Sequence, residues 1–134
     1  KGIITGSPQQ PSAAALRPDA AGYFWLDPAG FLQYFAPDVD PVQAKIMAVT
    51  QKPIAANDFL SDQVYGDPAW KFFPTWYLIT SDDQMIPAPA QQLFAQRMGA
   101  TTETIKASHV AMVSQPDAVT DFIVKAASAV GASK

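Results

Sequence analysis

The chain has no cysteine and a single histidine, His109. The first absence rules out a disulfide framework and thiolate metal sites, and it leaves the redox compartment open. The second rules out a multi-histidine zinc site. Charge is scarce as well. Only 16% of residues are charged, against about 25% in an average domain, and the nine Lys and Arg are scattered. Nucleic acid and anionic membrane surfaces need a clustered basic face, so neither is an expected partner at a net charge of −3. No apolar run reaches the roughly 18 residues of a membrane span. The chain opens on Lys1 without a signal-peptide pattern, so either a preceding segment has been removed or this is a piece of a longer polypeptide, and a cytoplasmic and a secreted or periplasmic location are both open.

What is present is globular. Hydrophobic residues make up 49% of the 134 and aromatics 11%, and a domain of this length buries roughly two-thirds of its unfolded surface. Twelve prolines punctuate mainly the first 90 residues. Residues 1–22 read as irregular, apart from "GIIT" as the possible tail of a strand. "YFWLD" (23–27) predicts a short strand. In "DPAGFLQYFAP", Asp27 caps a helix with Pro28 at its first position and with Phe31, Leu32 and Phe35 on one face. In "DPVQAKIMAVTQKP", Asp40 and Pro41 repeat the device with Val42, Ile46 and Val49 as the inner face. Residues 54–70 read as loop or short elements.

The texture changes near residues 69–73. "PTWYLIT" (74–80) is a near-continuous apolar run, as expected of a strand buried on both faces of a parallel sheet. "PAQQLFAQRMGA" (89–100) predicts a helix with Leu93, Phe94, Arg97 and Met98 at helical spacing and Gly99 as C-cap. "TETIKA" is a short strand. Pro116 starts a last helix with Val119, Phe122, Ile123 and Ala126 inward. The expected class is α/β: strand-helix-strand-helix over 70–134, preceded by a proline-punctuated helical region over 1–69.

In an open parallel sheet, the loops leaving the carboxyl ends of the strands hold the site. Those loops are "SDDQMIP", with Asp82 and Asp83, and "SHVAMVSQP", with His109. An aspartate beside an imidazole fixes its tautomer and stabilises the imidazolium formed when it takes a proton. The acid precedes the histidine, which fits the order Ser…Asp…His of the α/β hydrolases. "PTWYLITSDDQMIP", "QQLFAQRMGA" and "ASHVAMVSQPDAVTDFIVKAA" resemble the acid loop, the following helix and the histidine loop with its terminal helix in that family. The likeness is to the small capped esterase and hydroxynitrile-lyase-like branch, related to plant methyl-salicylate esterases. It covers most of the chain and is strongest over 68–127. Asp83, three residues before Ile86-Pro87, matches the acid position better than Asp82. The resemblance implies the C-terminal part of a doubly wound, mostly parallel sheet preceded by a helical cap. His109 would be the base and Asp83 its orienting acid, the substrate a small apolar ester, and no metal or organic cofactor would be required.

The family's nucleophile stands in a G-x-S-x-G elbow, and no serine here has that setting; Ser7 follows Gly6 but has Gln9 two residues on. The expectation is an N-terminal half of the same fold, in the same precursor or a second chain, that supplies the serine and the oxyanion hole; otherwise the chain must swap or dimerise as a homodimer. The alternatives are an inactive truncated fragment or binding module, and a lyase or cofactor-free member of the same branch. Ser108 beside His109 points to the other face of an extended segment, and Ser81 and Ser114 read as loop hydroxyls. Trp25, Phe31, Phe35 and Met112 are candidate pocket residues, with Tyr23, Phe24, Tyr34 and Met47 as further candidates, although apolar residues at helical spacing also serve as core. Trp76 reads as core. Asp38 and Asp40 suggest a carboxylate couple or a metal site, but Asp40 before Pro41 is more simply a helix cap.

Overall fold

The computed structural model describes residues 11–55, 57 and 66–131; "GIIT" and Ser7 lie outside them. A 3₁₀ turn (Pro11–Ala15) leads into strand β1 (Leu16–Pro18) and β2 (Tyr23–Leu26). Helix α1 (Pro28–Gly30) continues as a π-helical turn (Phe31–Phe35) and is followed by α2 (Pro41–Thr50) and β3 (Ile54–Ala55). After a 3₁₀ turn (Ala69–Lys71) come β4 (Trp76–Thr80), α3 (Ala88–Met98), β5 (Thr101–Ile105), α4 (Ala111–Ser114) and α5 (Pro116–Gly131).

The first strands form an antiparallel sheet in the order β1-β2-β3, with Leu16 opposite Leu26 and Phe24 opposite Ile54. β2 is the strand expected at 23–27. β1 falls where irregular chain is expected, because three residues ending in proline are too few to show alternation. Asp19 makes the β1–β2 turn: its Oδ1 accepts from the Ala21 and Tyr23 amides, and Gly22 takes a positive φ of 84°.

Both expected caps form. Asp27 accepts from the Gly30 amide and Asp40 from those of Val42 and Gln43, each with proline at the first turn. The Ala36 amide reaches back to the Phe31 carbonyl, which widens the turn and sets the Phe31 and Phe35 rings 4.6 Å apart. The inward face of α2 differs from expectation. Val42, Ile46 and Val49 are 65, 57 and 76% exposed, while Ala44 and Ala48 are buried. The helix packs closely on α1 and its π turn, and small residues four apart permit that approach where branched ones would not. The core here joins Ala15, Leu26, Phe31, Ala36, Val39, Ala44 and Ala48 with Val110 from the C-terminal region.

β4 and β5 pair in parallel, with Trp76 opposite Thr101 and Thr80 opposite Ile105. α3 makes the crossover. It ends at Gly99, whose φ of 61° is the left-handed C-cap conformation expected there, and whose amide bonds to Ala95 and Gln96 carbonyls. Burial of β4 is confined to its C-terminal end, at Ile79 and Thr80; Trp76, Tyr77 and Leu78 are half-buried. Trp76 packs edge-on against Phe122 at 6.3 Å. Two helix faces again differ from expectation. α3 buries Gln91 and Ala95 and leaves Leu93 exposed. α5 turns Val119, Phe122 and Ala126 inward, whereas Ile123, one position or about 100° round from Phe122, is exposed. Among the described residues no helix is long and apolar enough to cross a membrane.

Candidate active site

The β4–β5 pairing does not stop at the strand ends. The Ser81 amide donates to the Ile105 carbonyl at 2.9 Å and the Asp82 amide to the Ala107 carbonyl at 3.1 Å. The loop bearing the acids is thereby fastened to the loop bearing the histidine, and both leave the same edge of the sheet.

Asp83 is 7% exposed. Its Oδ1 accepts the Met85 and Ile86 amides at 2.8 and 2.9 Å, so the carboxylate makes its own turn. Its Oδ2 lies 3.0 Å from His109 Nδ1. Burial on its own would raise the Asp83 carboxyl; the hydrogen bond and charge of His109, with the Ile86 and Met85 amides, outweigh it and hold the group below the ordinary carboxylate value. An ionised Asp83 is an acceptor only, so Nδ1 carries the proton and the lone pair of Nε2 is left free. The imidazole is half-buried and packs on Phe35, with ring centroids 4.9 Å apart. Asp82 is exposed and accepts from Ser81.

Ser108 is 1% exposed and faces away from the histidine's partners. Its amide donates to Asp38 Oδ2 at 2.8 Å and its hydroxyl to Asp38 Oδ1, with the Phe35 carbonyl as a neighbouring acceptor. Ser114 Oγ also donates to Asp38, at 2.9 Å. Asp38 therefore grips both ends of the histidine-bearing segment from the other region of the chain. Burial pushes its carboxyl up, but the Ser108 and Ser114 hydrogen bonds win and keep it below the usual range.

Phe35 and His109 border a cavity of about 530 Å³, walled also by Trp25, Phe31, Met47 and Met85. Phe24 lies on it too, while Tyr23 is exposed and Tyr34 packs on the core. Trp25, Phe31 and Phe35 thus share one cavity with the histidine. Met112, 60% exposed, lies instead on a groove of about 370 Å³ that His109 also borders, together with Tyr77, Asp83 and Gln91. Among the described residues no cluster of three or more His, Cys, Asp or Glu side chains is placed to hold a metal ion.

Two contacts of the site escape sequence reasoning, that of Asp38 with the histidine-bearing segment and that of Gln91 with Asp83. Asp38 has only its place two residues before a helix cap, which says nothing of a partner 70 residues away. Gln91 has a fainter signal: it precedes buried Ala95 by one helical turn, and a polar residue on an inward face needs partners there.

The chain belongs to the alpha/beta hydrolase family, whose model matches residues 3–122. Among solved structures, polyneuridine aldehyde esterase superposes with a TM-score of 0.68 at 16% identity, over 84% of this chain and 47% of that one. The pyrethroid hydrolase PytH superposes with a TM-score of 0.70 at 17% identity, over 96% of this chain and 54% of that one. At such identities the likeness is one of fold, and the chain spans about half the length of these structures. No curated protein matches the chain.

Proposed function

We propose that this chain supplies the acid and base of a serine-type carboxylic ester hydrolase, with the serine and the oxyanion hole coming from residues outside it. The observation that carries the reading is the 3.0 Å contact between His109 Nδ1 and buried Asp83, at the ends of adjacent parallel strands and beside an apolar cavity. The reaction is acyl transfer. His109 Nε2 takes the proton of the serine hydroxyl as its oxygen bonds to the ester carbonyl carbon. The imidazolium, stabilised by Asp83, then returns the proton to the departing alcohol as the C–O bond breaks. In the second half Nε2 takes a proton from water as the water oxygen bonds to the acyl carbon, and returns it to the serine oxygen as the acyl–serine C–O bond breaks and the acid leaves.

Residues 11–55, within the lid region expected over 1–69, act as part of that lid, and the aromatic cavity takes the apolar part of a small ester. The nucleophile would enter along the groove on β4, which His109 and Asp83 border and whose wall holds no residue of that lid. On the same strand the buried Trp76 indole N–H has no acceptor among the described residues.

The test uses the protein that carries this chain, with a p-nitrophenyl ester of a short fatty acid. His109→Ala is expected to lower kcat/KM by about 10²–10⁴, the usual worth of a general base. A loss of less than about tenfold would remove His109 from that role.

A further inference from the structure

Resting on the acid–base reading above, we propose that Gln91 is a positioning residue: its amide fixes the Asp83 carboxylate oxygen that faces His109. Gln91 sits on the first turn of α3 and is 3% exposed. A buried primary amide offers two N–H donors and one carbonyl acceptor, and leaving them unmade is costly. Here all are used. Nε2 lies 2.7 Å from the Ile86 carbonyl and 3.0 Å from Asp83 Oδ2, with Thr80 Oγ1 also at 3.0 Å. Oε1 accepts the Thr80 amide at 3.0 Å.

The orientation of this amide has one solution. The Thr80 amide is a donor and must meet the Gln91 oxygen. The Ile86 carbonyl and the ionised Asp83 are acceptors and must meet its nitrogen. Turning the amide over would set oxygen against oxygen at Ile86 and Asp83, and nitrogen against N–H at Thr80. Gln91 thereby ties together the last residue of β4, the acid turn and the carboxylate itself. It bonds to Oδ2, the oxygen that also receives His109, while Oδ1 is held by the backbone of its own turn. A residue that served only to join helix to strand would need the Thr80 and Ile86 bonds and not this one.

The experiment compares Gln91→Leu and Gln91→Glu with the parent protein, with folding checked by circular dichroism and thermal unfolding. For Gln91→Leu, kcat is expected to fall about 10- to 100-fold, the scale seen when an orienting partner is lost, with KM within about twofold. Gln91→Glu keeps the shape but sets a second carboxyl against Asp83, among neighbours whose titratable groups are His109 and Tyr77. The acidic limb of its kcat/KM profile, which reports protonation of the base, is expected to move up by roughly one pH unit, because a second carboxylate near the imidazole favours its charged form.

A second readout is independent of turnover. The Nδ1–H proton of His109 in NMR, identified by its loss in His109→Ala, is expected to be sharp and far downfield in the parent and broadened by exchange in Gln91→Leu. Folded variants with parental kcat, an unmoved limb and an unchanged Nδ1–H signal overturn the proposal. If His109→Ala is itself fully active, the acid–base reading fails, and the Nδ1–H signal alone decides on Gln91. If Gln91→Leu does not fold, Gln91→Glu decides.

Discussion

The two regions of the chain bury different chemistry. In residues 11–55 the buried side chains are apolar, many of them alanine, with Ser12 the exception among those described. In residues 74–131 the polar Thr80, Asp83, Gln91 and Ser108 are buried among apolar side chains such as Ile79, Val110 and Phe122. Each of these four is hydrogen-bonded, three of them to one another around Asp83 and the fourth to Asp38. The first region builds a wall and the second places a charge. A carboxylate beside an imidazole is strengthened when the surroundings exclude water, and the aromatic wall excludes it from one side. The contrast teaches that the two duties are divided along the chain and must be brought together by specific contacts between the regions.

The largest expected effect comes from removing the charge while keeping the shape. Asp83→Asn should cost about 10⁴ in kcat/KM, as loss of the orienting acid does when the wrong tautomer results, with the fold retained by circular dichroism. An activity within tenfold of the parent would reduce Asp83 to a turn former. Next is the wall. A Cβ at Gly30 would stand 2.1 Å from the Ala15 Cβ, so Gly30→Ala should lower stability by about 1–3 kcal/mol in urea unfolding, as overpacking does. The contact between regions follows. Asp38→Ala leaves the Ser108 amide without its acceptor, a loss of about 1–2 kcal/mol, and should lower kcat more than it raises KM; an unchanged kcat would separate the two regions functionally. The smallest effect tests the corrected face of α2. Val49→Ser should stay within about 0.5 kcal/mol of the parent, whereas Ala48→Leu should destabilise by about 1–3 kcal/mol.

The two carboxyls also set a direction with pH. Asp38 and Asp83 are held below the ordinary value of 3.8 in the folded chain, so the unfolded chain binds protons first as pH falls. Their stabilisation is complete above 3.8 and is lost progressively below it. The thermal midpoint should therefore hold down to that range and then drop. In Asp38→Asn the drop should be shallower.

Much of the C-terminal region was legible because each feature has a local cause. The apolar run before "SDDQMIP", Gly99 as a helix end and the spacing from Asp83 to Pro87 are read from neighbours in the chain. Helix faces were less legible where size decided them. Reading α2 by its largest apolar residues selects Val42, Ile46 and Val49, yet packing against another helix selected Ala44 and Ala48. Leu93 and Ile123 mislead in the same way. The partners of Asp38 and Gln91 were illegible because both are made through space, by contacts that no spacing encodes.

The segment from Phe35 to Asp38 does two things within four residues. Phe35 borders the cavity and packs at a tilt against the imidazole, and Asp38 holds the backbone and hydroxyl of the residue beside it. The wall of the cavity and the anchor of the base therefore lie on one four-residue length of chain. Any change of course in that short length would reshape the pocket and shift the proton acceptor's support together.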